Sequence, residues 1–74
     1  MTAFNARHIH ARVRFAVEMA GTVEEVARQC EILPATLWSI LSGKNLPGCE
    51  TLTRLCAGLG LSADWVLLGK GEMK

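Results

Sequence analysis

The sequence predicts an all-α domain of five helices. Apolar residues recur at spacings of three and four along the chain, and each run is opened by a capping residue or closed by a glycine. Seventy-four residues, 50% apolar and 20% charged, make one domain, residues 1–74, and exclude a disordered chain. A chain this short buries only about 60% of its unfolded surface, so its core must be efficient.

The first helix is expected from Asn5, a capping residue, to about Met19. Ile9, Val13, Ala16 and Ala20 form its apolar stripe, Phe15 falls off that stripe, and Gly21 stops the helix. Thr22 caps the second helix. Its hydroxyl is placed to accept from the Glu25 N–H while Glu25 reaches back, a T-x-x-E capping box. Glu24 and Glu25 suit the positive end of the helix dipole. Val26 and Cys30 continue the buried side, and Ala27 is small where another helix must come close.

Pro34 opens the third helix, because its missing N–H would have been unpaired there anyway. Leu37, Ile40 and Leu41 point inward and Gly43 ends the helix. Leu33 stands at the cap with no side-chain acceptor, a loss of ~1 kcal/mol against Ser or Asn. Gly48 precedes a fourth helix with Leu52, Leu55, Cys56 and Leu59 on one face, broken by Gly58 and Gly60. Ser62 caps a short fifth helix that Gly69 and Gly71 stop. Leu61, Trp65 and Leu68 form its core stripe, which leaves Val66 and Leu67 for the surface and for a seam between two copies.

Several function classes drop out. No apolar stretch approaches the ~20 residues of a membrane span, and Arg7, Arg12 and Arg14 interrupt the only segment resembling a signal peptide. The expected location is therefore the cytoplasm, with no membrane partner. Cys30, Cys49 and Cys56 are odd in number, include no C-x-x-C and lie in apolar periodic segments, which favours reduced core thiols. His8 and His10, two apart on a helix, project to nearly opposite sides, which suits surface or phosphate-facing roles better than zinc. There is no paired-carboxylate geometry, no glycine-rich phosphate loop, and no nucleophile set near a histidine, so neither an enzyme nor a cofactor is expected. The net charge of +1 counts against strong non-specific binding to nucleic acid but leaves room for a local basic patch.

Residues 22–44 align without a gap on the helix-turn-helix pattern of the lambda repressor family, at about residues 22–43. The matches are Thr22, Glu25, Val26, Ala27, Ile32, Leu37, Ile40 and the closing Gly43-Lys44. Pro47 to Leu52, together with Leu59 to Met73, resembles the last two helices of phage repressor DNA-binding domains. The resemblance covers nearly the whole chain. It implies a compact, five-helix, lambda repressor-like domain that binds double-stranded operator DNA as a homodimer. Such a protein would be a transcriptional regulator of phage repressor or Cro type, working in the bacterial cytoplasm and on the nucleoid when DNA-bound.

On that register the DNA-contacting residues are Thr22, Leu33, Pro34, Ala35, Thr36, Trp38, Ser39, Ser42, Lys44 and Asn45, with Val66 and Leu67 at the dimer interface. Lys44 and Asn45 fall where the family touches the phosphate backbone. Arg28 and Arg54 read as ordinary solvated charges. Three departures from the family pattern bear on function. Val23 replaces a phosphate-clamping Gln, Glu31 replaces the glycine of the turn, and the outward face of the third helix lacks the Arg, Gln or Asn that usually read base edges. What remains there is methyl contact to thymine from Ala35 or Trp38, and hydroxyl bonds from Thr36, Ser39 and Ser42.

Two other readings follow. One is a modulator or antirepressor of helix-turn-helix shape that binds another protein, such as a phage repressor, through the apolar Leu33, Pro34 and Trp38 face. The other is the N-terminal domain of a longer repressor, because family members continue into an oligomerisation domain after the position of Gly71-Glu72-Met73.

Overall fold

A computed structural model describes residues 5–74, and every regular element among them is helical: α1 (Ala6–Ala20), α2 (Val23–Cys30), α3 (Pro34–Leu41), α4 (Cys49–Leu59) and α5 (Ala63–Leu68). None is long and apolar enough to cross a membrane. Asn5 caps α1 by accepting from Arg7 N at 3.0 Å. The Thr22–Glu25 capping box forms in both directions, so two backbone donors at the start of α2, those of Thr22 and Glu25, are satisfied locally. Ser62 caps α5 through Trp65 N at 3.3 Å, whereas Leu33 and Gly48 supply no side-chain cap to α3 and α4.

The core runs from Ile9, Val13, Ala16 and Val17 of α1, through Val26, Ala27 and Cys30 of α2, to Leu37 and Ile40 of α3 and Leu55 and Leu59 of α4. Ile32, Leu61 and Val66 complete it, and Leu41, Leu52, Cys56 and Trp65 pack against it half-buried. Ala27 has no exposed surface, as its small size predicts. In α1 the inward residue after Ala16 is Val17 rather than Ala20, which is exposed. The 100° step of the helix carries the stripe off the core by its last turn, where Gly21 already redirects the chain.

Gly58 does not break α4. It lies inside the helix with its open side against Cys30, and Gln29 Nε2 donates to its carbonyl at 2.9 Å. Gly60, in the left-handed conformation, is the true terminus. Cys49, the first residue of α4, is exposed rather than a core thiol, while burial pushes the Cys30 and Cys56 thiols up.

The end of the chain departs furthest from expectation. Val66 is 0% exposed and Leu68 is 62% exposed, the reverse of the predicted stripe. A six-residue helix has one buried corner, and α5 turns the corner formed by Trp65 and Val66 toward α1. Arg12 of α1 donates to the Val66 carbonyl at 3.0 Å and crowds Gly69, placing a cation at the C-terminal end of α5. Leu68 is the last residue of the helix and runs past this contact. The tail then returns, with Ser62 N donating to Met73 O at 2.8 Å and Met73 packing on the core.

Candidate nucleic-acid interface

The turn between α2 and α3 is three residues long. Glu31 takes it through the left-handed region at φ 57°, the only non-glycine with positive φ among the described residues. Its N–H and that of Ile32 close the C-terminal end of α2, and Ile32 then inserts into the core. Arg54 of α4 braces this turn from outside by donating through Nη1 to the Glu31 carbonyl at 3.0 Å. The same guanidinium grips Glu50 with Nε and Nη2 at 3.2 and 2.9 Å. Arg54 is therefore a structural brace rather than a free solvated charge.

Because Leu37 and Ile40 are driven inward, the opposite face of α3 is left uncovered. Leu33 is 73% and Trp38 54% exposed, and Pro34, Ala35 and Ser42 are exposed beside them. Thr36 and Ser39 are half-buried and line a shallow depression of about 260 Å³ with Asn45 and Thr51. Lys44 and Asn45 are exposed just beyond the helix, where Gly43 at φ 83° lets the chain leave it. All the sequence-predicted contacts on and beyond α3 thus lie on this face or its margins.

Two hydroxyls on the predicted list are already engaged. Thr22 Oγ1 donates to Glu25 Oε1 at 2.9 Å, which uses the proton a phosphate would need, so Thr22 acts as a cap here. Ser42 Oγ donates to Ser39 O at 3.0 Å, inside the last turn of its own helix. Val66 is withdrawn from the predicted dimer seam by its burial, whereas Leu67 remains 44% exposed and stands next to exposed Leu68.

Trp38 forms one wall of a cleft of about 470 Å³ between α1, the start of α2 and α3, floored by Val17, Val23 and Leu41. Arg14 and Glu18 stand on its α1 side, paired at 3.5 Å but both well exposed, so their attraction is weak. His10 Nε2 lies 3.0 Å from Asn45 O, which ties α1 to the segment after α3. Arg7, His10 and Arg14, at spacings of three and four, share one face of α1. The His10–Asn45 contact sets this stripe beside the segment after α3, with Arg14 in the Trp38 cleft and Lys44 exposed just past the helix. The spacing is visible in the sequence, but only the His10–Asn45 contact shows which face the stripe borders.

Among the described residues no group of three His, Cys, Asp or Glu side chains comes together to hold a metal. In comparisons with known proteins, no family model, no curated protein and no solved structure matches this chain.

Proposed function

We propose that the protein is a sequence-specific DNA-binding regulator of phage repressor or Cro type, with α2, the Glu31–Leu33 turn and α3 acting as a helix-turn-helix. The observation that carries this reading is the uncovered face of α3, set directly after a tight turn, with His10 tied to Asn45 beside it, Arg14 in the Trp38 cleft and Lys44 exposed just past the helix. A helix of this kind enters the major groove with its outer residues on base edges, while flanking cations neutralise phosphates. Arg7, Arg14 and Lys44 answer the low net charge, since the local concentration of cations matters more to phosphate contact than the total.

Two copies are required to read a symmetric operator, and the exposed pair Leu67 and Leu68 at the end of α5 is the apolar surface for joining them. Two-fold pairing would set the α3 helices about 34 Å apart, one turn of DNA.

One observation favours a second reading, a modulator that docks on another protein, such as a phage repressor. Leu33 and Trp38 are large, exposed and apolar, and the cleft beside Trp38 offers an anchor site of the kind protein interfaces use.

Titration of randomised duplexes across a range of salt concentrations tests the first reading. Binding that weakens linearly with the logarithm of salt, with Lys44→Ala lowering that slope by about one, is the expected result. Absence of binding at low salt would reject it.

A further inference from the structure

What α3 reads, on the proposal that it is a major-groove helix, is set by the side chains on its outer face. From Pro34 to Ser42 the helix and its cap hold no amide, guanidinium, ammonium or carboxylate side chain. Leu37 and Ile40 are buried, Thr36 and Ser39 are half-buried, and the exposed Ser42 hydroxyl has its proton on Ser39 O, so the outermost large surface is Leu33, Pro34, Ala35 and Trp38. Major-groove base edges are almost all hydrogen-bonding groups: N7 and O6 of guanine, N7 and N6 of adenine, N4 of cytosine and O4 of thymine. Pressing such an edge against Ala35 or the ring face of Trp38, away from its single indole N–H donor, would strip its water and return no partner, at an energetic cost. The exception is the C5-methyl group of thymine, which is apolar and projects into the groove. A methyl on C5 of cytosine stands in the same place.

We propose that α3 selects duplexes by the C5-methyl groups of their pyrimidines, thymine first and 5-methylcytosine by the same contact, through Ala35 and Trp38. Discrimination has two parts. Burial of the methyl is favourable, and a polar edge placed under Ala35 or the Trp38 ring face is penalised. Affinity comes from the margin, where Lys44, Arg7 and Arg14 reach phosphates without regard to sequence.

The test needs a chemical change confined to the methyl. Randomised duplexes are enriched on the full chain, and the winning duplex is resynthesised with deoxyuridine in place of thymidine. All hydrogen-bonding groups are then kept and only the C5-methyl groups are lost. Affinity is expected to fall about fourfold for each contacted methyl. Where a contacted T·A pair is changed to C·G, 5-methylcytosine should bind about fourfold better than cytosine at that position. Trp38→Ala and the more conservative Ala35→Ser should each bring the thymine-to-uracil ratio toward one while retaining salt-dependent binding, with circular dichroism confirming the fold. A ratio near one in the parent protein, with binding intact, would overturn methyl readout and leave DNA reading standing. A ratio that neither variant changes would overturn the assignment to this face. If no duplex is enriched, DNA reading itself fails and methyl readout fails with it.

Discussion

Gly58 and Cys30 mark the crossing of α4 and α2: a Cβ on Gly58 would stand 2.6 Å from Cys30 Sγ and 3.0 Å from Cys30 Cα. The second distance matters more, because a backbone atom cannot rotate away. In an open helix position alanine would gain about 1 kcal/mol over glycine. Here overpacking, typically ~1–3 kcal/mol, opposes that gain. Gly58→Ala should therefore lower the thermal midpoint. A variant that melts above the parent would mean that the two helices do not touch at this point.

Glu31 offers the opposite sign. It is held at φ 57° and ψ 46°, a conformation that costs a side chain ~1 kcal/mol or more. Arg54 grips its backbone carbonyl, not its carboxylate, so a change of side chain leaves the brace in place. Glu31→Gly should stabilise the protein by about 1 kcal/mol, raising the midpoint by roughly 4–8 °C for a domain of this size. An unchanged or lower midpoint would show that the left-handed turn stores no strain.

The capping box gives stability a pH dependence. The Thr22 backbone N–H, and then its hydroxyl, hold the Glu25 carboxyl below its ordinary value, with a smaller contribution from Arg28. A lowered folded-state pKa means that the unfolded chain takes up the proton first on acidification. Stability from this box is thus complete above the usual carboxylate range and is lost as pH falls through the folded value. The urea midpoint should decline with acid in the parent and decline less in Glu25→Gln. Parallel pH profiles in the two proteins would place the proton uptake elsewhere.

Much of this architecture is legible in the chain because it is specified locally. Thr22 with Glu25, Pro34, Ser62 and Gly69 each fix a helix end by chemistry within four residues. What was not legible depends on partners distant in sequence. Gly58 reads as a helix breaker until Cys30 is seen against it, and Val66 reads as surface until Arg12 and α1 are packed over its turn. The candidate site divides the same way. The exposed α3 face follows from the inward direction of Leu37 and Ile40. The basic margin required the His10–Asn45 contact, made across 35 residues of sequence.

Leu67 and Leu68 remain as the candidate seam between two copies. Both are exposed at the end of α5, and neither contributes to the buried core. Sedimentation should show concentration-dependent dimerisation of the parent at hundreds of micromolar, tightened by duplex DNA. Leu67→Glu and Leu68→Glu should each leave a monomer with an unchanged thermal transition, because a charge on each side of a two-fold seam repels its copy. A parent that stays monomeric with and without DNA would remove α5 as an assembly surface.

Trp38 separates the two functional readings. It falls between Leu37 and Ile40 in sequence but faces outward, 54% exposed, and lines the same cleft as Val17, Val23 and Leu41. Truncation uncovers part of that cleft, so Trp38→Ala should lower the thermal midpoint by several degrees while keeping one cooperative transition, a cost of about 1–2 kcal/mol. The larger effect should be on the ligand. A desolvated tryptophan at the centre of an interface is commonly worth 2 kcal/mol or more, which is roughly thirtyfold in affinity. The chain holds only one other tryptophan, Trp65, half-buried against the core, so a Trp65→Phe background makes emission a direct report on Trp38. Free protein should emit as a partly hydrated indole, and binding should shift or quench it. Parallel titrations with the enriched duplex and with a candidate repressor protein then decide. An emission change with DNA, weakened but still salt-dependent DNA binding in Trp38→Ala, and no response to protein identify the regulator. A response to protein in a chain that binds no duplex identifies the modulator. Loss of the cooperative transition in Trp38→Ala would instead mean that Trp38 belongs to the core, and both readings of this face would fall together.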